Sequence, residues 1–276
     1  MQDIRSEDSV TGHVSAGFIF SSTSFFVMIQ NSFVLLPSVK QRSEAKIWKQ
    51  GIHSWGDFLD SDEIKGMTSV RKASFDSILT DAKSHLRNEN SSFFTKIMRA
   101  GDQWRLYDSF KDSAVYLDIE TNGYYGGITV IGLSDGYDAK TFVRGFNLDR
   151  SLLLKELSKY KLIVTFNGGS FDLPVIKRYF GIDFRVPHVD LRFVCQKMGL
   201  VGGLKAIEKE LGIKRRDEVV GISGQDAVYL WEMWKSTGNR EYLEKLVMYN
   251  EEDILNLLPL AQKVIPELWT KVRQST

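Results

Sequence analysis

With a single cysteine, Cys195, among 276 residues, the chain can form neither an intrachain disulfide nor a cysteine-based zinc site. That fits a reducing, cytoplasmic compartment. Charge of one sign is also lacking. Lys and Arg number 36 against 35 Asp and Glu, a net charge of +1, so any attraction for a polyanion must be local. A long apolar run is missing as well. Residues 14–39 carry no charge, but Ser15, Ser21, Ser22, Thr23, Ser24, Gln30 and Asn31 interrupt their apolar residues. The roughly 20-residue span of a membrane helix is not there, and no membrane partner is expected. Residues 1–13 hold three acidic groups and one Arg, without the basic segment that opens a secretory leader. What is there is a globular composition, 43% hydrophobic and 26% charged, long enough for one large domain or a domain with an appendage.

The residues from 31 to 107 read as helical. Residues 42–50 and 54–59 form two short helices, with Gly51 and Ser54 as their caps. With the turn Pro37-Ser38-Val39-Lys40 they resemble a degenerate helix-hairpin-helix unit, lacking the glycines that present backbone N–H groups to a phosphate. Apolar residues Val70, Ala73, Phe75, Ile78, Leu79, Ala82 and Leu86 recur at helical spacing. Asn88 to Ser92 break that helix, and Phe93 begins another. Trp104 to Tyr107 are expected as a short strand or docking segment.

From 114 onward strands and helices alternate. Strands are expected at 114–120, 128–134, 139–143 and 162–166, the Asp135-Gly136 pair marking a hairpin. Helices are expected at 151–159 and 171–180, the latter closed by Gly181. Beyond 190 the expectation is helix at 190–198, 203–211, 224–236 and 239–263. Three strands in hairpins followed by helix, strand and helix describe an α/β fold, a mixed sheet with helices on its faces.

The stretch Ala-Val-Tyr-Leu-Asp-Ile-Glu at 114–120 is the centre of this arrangement. Asp118 and Glu120 break a buried-strand pattern, and a side-chain period of two puts both on one face. Burying two like charges is costly, and a divalent cation with oxygen ligands offsets it. The other reading is an exposed edge strand with an acidic face. Asp172 follows a later strand and the Asn167-Gly168-Gly169 turn, at a helix start where a carboxylate also suits the helix dipole. Tyr249 and Asp253 are four apart on one helix face, which equally describes a half-buried Tyr beside a solvated Asp.

Together, Asp-x-Glu on a first strand, Asp after a later strand and Tyr-x-x-x-Asp on a C-terminal helix resemble the tyrosine subclass of the DEDD 3′→5′ exonucleases. The resemblance extends to the YprB-type RNase H-like family from Phe33 to about Val264. It is carried by Ile47-Trp-Lys-Gln-Gly-Ile-His-Ser-Trp-Gly-Asp-Phe, Leu117-Asp-Ile-Glu-Thr, Phe166-Asn-Gly-Gly-Ser-Phe-Asp, His188-Val-Asp-Leu, Gly203-Leu-Lys-Ala-Ile-Glu-Lys-Glu-Leu-Gly-Ile and Tyr249-Asn-Glu-Glu-Asp.

That resemblance implies an RNase H-like, five-stranded mixed sheet over 108–276, a helical region over 31–107 and an extension over 1–30. Similar chains begin shortly before Phe33, and Met28 lies near that point. Residues 1–27 are therefore read as an upstream addition, which an intact Met1 end in the native protein would overturn.

The resemblance also implies two divalent cations, Mg²⁺ or Mn²⁺, about 3.5–4 Å apart on one phosphodiester. In that arrangement Asp118 bridges both, Glu120 and Asp253 hold one, and Asp172 supports the other directly or through water. Tyr249 orients the attacking water, since a phenol near pKa 10 is a poor base. The implied activity is 3′→5′ hydrolysis of single-stranded DNA, or of RNA, to nucleoside 5′-monophosphates. Its alternatives are a structure-specific endonuclease on the same core and a non-catalytic nucleic-acid-binding module. Asp190 either caps a helix or approaches the metals from behind. Asn167 either reaches the substrate or fixes its own turn, and His188 reads as structural. Residues 177–216 carry a local balance of +6, with Lys205 a further candidate for the substrate. Such a basic wall suits a phosphodiester. Phe166, Phe171 and Tyr179 are aromatic candidates for stacking on bases.

Overall fold

The computed structural model describes residues 28–123 and 127–274. The extension read over 1–27 lies outside them. Met28–Asn31, at the start of the described residues, is a 3₁₀ turn in which Met28 and Ile29 are buried. Helix α1 (Gln41–Trp48) and α2 (Trp55–Asp60) follow. Ser54 and Asp57 close α2 with a reciprocal capping box. The turn at 37–40 precedes α1, and the two helices join through residues 49–54. Buried Glu44 accepts from Ser32 Oγ at 2.8 Å and Phe33 N at 2.7 Å, and pairs with Arg105 at 2.9 Å. The indoles of Trp48 and Trp55 donate to the carbonyls of Asn31 and Ser32.

Next come α3 (Ser69–Arg87) and α4 (Ser92–Ile97), separated by the break expected at Asn88. Of the two readings of 104–107, short strand or docking segment, the strand is not formed: the stretch is a 3₁₀ helix, Ala100–Leu106, running into α5 (Tyr107–Phe110). Trp104, Leu106 and Tyr107 are buried in the core cluster, so the stretch docks on the core through its side chains.

The sheet has the order β3-β2-β1-β4-β5. Strands β1 (Ala114–Thr121), β2 (Ile128–Ser134) and β3 (Ala139–Val143) form the antiparallel meander. Helix α6 (Arg150–Leu157), capped by Asp149, crosses to β4 (Leu162–Thr165), which runs parallel to β1. Helix α7 (Asp172–Phe180) ends on Gly181 in the left-handed region. It leads to β5 (His188–Asp190), a three-residue strand beside β4. Thus the sheet is the mixed, five-stranded, helix-flanked RNase H-like one expected. The C-terminal helices are α8 (Leu191–Met198), α9 (Leu204–Glu210), α10 (Gly224–Thr237) and α11 (Arg240–Gln274).

α11 runs past the end expected near 263, through Pro259 and Pro266. Each proline removes one helix hydrogen bond. The helix persists because Leu260, Val264, Ile265, Leu268 and Val272 are buried along one face. One core cluster joins the helical region from Met28 to β1, β4 and α11, so the stretches on either side of 107 share their apolar interior. Among the described residues, no helix is long and apolar enough to cross a membrane.

Candidate active site

Strand β1 is buried along its length except that Asp118 and Thr121 are only half-buried. Its parallel pairing to β4 runs from Ala114 to Tyr116 and stops there. Beyond that point the Ile119 N–H donates instead to Asp172 Oδ1, at 3.0 Å. The end of the β4 ladder thus places Asp172, the first residue of α7, against the strand between Asp118 and Glu120.

On the other side Asp118 pairs with Gly132 of β2. A Cβ on Gly132 would stand 2.2 Å from Asn250 Oδ1. The bare glycine therefore lets α11 approach the sheet, and Asn250 Nδ2 donates to Asp118 Oδ2 at 2.9 Å. Asn250 is fully buried, and its own Oδ1 has no partner among the described residues. The same helix brings Tyr249 and Asp253 to the carboxylates.

Asp118, Glu120 and Asp253 offer oxygen atoms within 4.8 Å of one another. Asp172 lies outside that radius, beside the trio. Burial pushes the Asp118 and Glu120 carboxyls well above the usual range, and the neighbouring carboxylates add to this. Asp172 is pushed up to about 7, mainly by burial and against two backbone hydrogen bonds. Asp253 is raised by burial too, and Arg215 opposes the shift. Hard oxygen donors that repel one another in a buried site are a fitting set for a divalent cation, which would supply the missing positive charge.

Tyr249 is buried, and its hydroxyl accepts from Lys205 Nζ at 2.9 Å. Burial and the Asp253 charge push that hydroxyl above the usual phenol range, so it stays protonated. Lys205 also donates to the Ile222 carbonyl, and burial lowers its pKa.

Asn167 sits at φ 69°, a left-handed conformation rare for a residue with a side chain. Asp190 Oδ1 holds it there, accepting from the Asn167 N–H at 2.7 Å, while Oδ2 accepts from Gly169 at 3.1 Å. Asp190 also caps α8 through the Arg192 N–H. The Asn167 side chain accepts from Arg192 Nη1 at 2.7 Å. His188 lies behind this turn, its Nε2 2.8 Å from Thr165 Oγ1, and burial lowers its pKa to about 4.

A cleft of about 400 Å³ opens from Asp118 and Asp253 past Phe166, Asn167 and Arg192 to Gly202 and Gly203. Of the stacking candidates, Phe171 and Tyr179 are exposed, whereas Phe166 packs on the core. The basic stretch is less open than its charge implies. Arg215 is buried on Asp253 and Glu208, and Arg216 pairs with Glu252 at 2.5 Å.

Three residues of this site were not singled out in the sequence: Asn250, Arg215 and Gly132. Two left a signal. Gly132 interrupts a strand pattern, where glycine marks a close approach. Asn250 is a poor helix former between the buried positions Tyr249 and Asp253.

A family model described as the RNase_H superfamily matches residues 115–265, a span that contains all four acids and Tyr249. No curated protein matches the chain. Among solved structures, the chain is similar to the family B DNA polymerase from the hyperthermophilic archaeon Pyrobaculum calidifontis. That match has a TM-score of 0.48 and 18% identity, over 58% of this chain and 25% of the polymerase chain. The matched part therefore spans about a quarter of that polymerase's length.

Proposed function

The chain belongs to the RNase H superfamily, and within it we propose a metal-dependent 3′→5′ exonuclease of the DEDD tyrosine subclass and YprB-type. Its substrate is single-stranded nucleic acid, DNA ahead of RNA, and its products are nucleoside 5′-monophosphates. The observation that carries this reading is the convergence of Asp118, Glu120 and Asp253 within 4.8 Å, with Asp172 and Tyr249 at their side. The catalytic unit is residues 108–276, and 31–107 brace it.

Asp118, Glu120, Asp253 and Asp172 would hold Mg²⁺ or Mn²⁺, which when bound activates a water and neutralises the leaving 3′-oxygen. Asn250 fixes the rotamer of Asp118, as the Ile119 N–H fixes that of Asp172. Tyr249, anchored by Lys205, directs its hydroxyl at the attacking water and sets its line of approach. Asn167 and Arg192, on the wall of the cleft, contact the strand next to the scissile bond.

A 5′-labelled single-stranded DNA and an equal RNA, incubated with Mn²⁺, Mg²⁺ or EDTA, test this reading. The expected result is a metal-dependent ladder shortening from the 3′ end, absent with Asp118→Ala. Defined oligomers in place of mononucleotides would mean an endonuclease. One observation favours a second reading, a non-catalytic nucleic-acid-binding module: Arg215 already partly neutralises Asp253. Binding without cleavage under either metal would establish that alternative.

A further inference from the structure

Arg144 directly follows β3, and two aromatic rings flank its guanidinium. Its Cζ lies 5.6 Å from the ring centre of Tyr179 on α7 and 5.8 Å from that of Trp231 on α10. A Cβ on Gly127 would stand 2.0 Å from Arg144 Nη2 and 3.0 Å from Tyr179 Cε2, so the bare glycine is what lets the guanidinium and the ring close over it. Trp231 is buried, whereas Tyr179 is 45% exposed.

Among the described residues, no hydrogen bond or ion pair holds this guanidinium. Nε and Nη2 are sealed without a partner, whereas Nη1 is neither sealed nor hydrogen-bonded. The arginines of the basic stretch beside the carboxylates are neutralised instead, Arg215 by Asp253 and Glu208 and Arg216 by Glu252. Setting a cation into a protein wall with no anion beside it is costly, and aromatic rings offset that only in part. The missing partner is an anion that reaches Nη1 from solvent and can lie beside an open aromatic ring. A single nucleic-acid strand supplies both parts, a phosphate and a base.

Two registers fix where this pair stands relative to the carboxylates. Across the sheet, Glu120 pairs with Val130 and Val130 with Val143. Two strand spacings put Val143 about 10 Å from Glu120. Arg144 is the next residue, and it leans back over Gly127, which precedes the Ile128 that pairs with Thr121 of β1. Along α7, Tyr179 lies about two turns beyond Asp172 on the same face, again about 10 Å away. Trp231 packs in one cluster with Tyr249 and Val130, while α7 packs its Val175 and Ile176 on the other face of the sheet. The guanidinium, flanked from both faces, therefore lies across the end of the sheet at which β1 carries Glu120.

We propose that Arg144 and Tyr179 form a subsite for one nucleotide of the bound single strand, close to the linkage held at the carboxylates. Arg144 Nη1 donates to that nucleotide's phosphate, and its base stacks on Tyr179. This inference rests on the proposed nuclease reading. It gives the strand a cation that lies outside the basic stretch at 177–216.

The test uses the full chain in EDTA, where no strand is cut, and single-stranded DNA 8-mers that each carry one linkage made neutral as a methylphosphonate. Arg144→Met keeps an unbranched stem between the two rings and removes the charge. It should weaken binding of the natural 8-mer and lower the slope of log affinity against log salt by about 0.7, the share of one phosphate on a single strand. It should not further weaken the 8-mer that is neutral at one particular linkage near the 3′ end. Tyr179→Ala, at a half-exposed site away from the buried stem, should weaken the natural 8-mer about 5- to 100-fold, the range that base–aromatic stacking covers, and Tyr179→Phe should recover most of that loss. An Arg144→Met protein with the wild-type affinity and salt slope overturns the subsite, as does one that weakens every 8-mer by the same factor. No effect of Tyr179→Ala does the same. Any of these results, with hydrolysis of the natural 8-mer by the wild-type protein under Mg²⁺ or Mn²⁺, leaves the nuclease standing. Absence of that hydrolysis under both metals overturns the nuclease reading instead.

Discussion

Arg215 Nη2 stands 2.5 Å from Asp253 Oδ1, and the same guanidinium holds Glu208 at 2.5 and 2.9 Å. The Arg215 side chain is 8% exposed and that of Glu208 only 1%. Asp253, one of the three clustered carboxylates, is therefore oriented by a buried cation that is itself fixed by a second acid. Truncating one partner of such a pair strands the other charge, at a cost of about 3–5 kcal/mol. Arg215→Met should lose about that much in urea denaturation, measured in EDTA. Adding Glu208→Gln should recover part of it by removing the stranded carboxylate. An Arg215→Met protein as stable as wild type would show that the pair is no structural tie.

That ion pair illustrates what the sequence could and could not convey. Asp118 and Glu120 were legible because a strand's period of two fixes their common face. Tyr249 and Asp253 were legible because helical spacing does the same. Gly181 announced the end of α7. Arg215 could not be told from its neighbours Lys214 and Arg216, because its contact with Asp253 is set by how the loop after α9 packs on α11. Strand β5 was missed because three residues carry no periodicity. The true length of α11 was hidden by Pro259 and Pro266, whose local cost is outweighed by tertiary burial.

The raised carboxyls give the metal-free protein a definite pH dependence. Asp172 titrates near 7 in the folded chain against about 3.9 unfolded. The folded state then binds more protons than the unfolded state between those values, so stability falls as pH rises. This group's contribution is fully present below about pH 4 and is lost as pH rises through about 7. Asp172→Asn keeps the acceptor for the Ile119 N–H and cannot ionise. Its stability relative to wild type, measured by urea denaturation in EDTA, should therefore increase from pH 5 to pH 8. A difference that stays flat across that range would mean that Asp172 titrates as an ordinary carboxyl.

Tyr249 is a positioning group in the proposed reaction, and Tyr249→Phe isolates its hydroxyl. The ring is buried and the substitution keeps it, so folding should be unchanged. Losing the fixed orientation of one water should lower kcat by about 10- to 100-fold, with KM little affected. Burial holds the hydroxyl above the usual phenol range, so the pH–rate profile of the variant should keep the wild-type shape. Disappearance of one limb of that profile would instead make Tyr249 the base.

Gly132 and Asn250 make the last prediction, because their contact sets how close α11 comes to β1. A methyl group on Gly132 would stand 2.2 Å from Asn250 Oδ1 and 3.1 Å from Ile254 Cγ2. Asn250 is fully buried against the sheet and cannot swing into solvent. Gly132→Ala should therefore push Asn250 off Asp118, and overpacking of this kind costs about 1–3 kcal/mol. Asn250→Ala removes the obstructing amide, so the double variant should recover stability beyond the sum of the single effects. It should not recover nuclease activity, because Asp118 then lacks the donor that fixes its rotamer. Melting curves of the four proteins in a double-mutant cycle, with the ladder assay run on each, separate the two effects. Strictly additive melting shifts would show that the glycine does not make room for this asparagine. Full activity in the double variant would show that Asp118 does not depend on it.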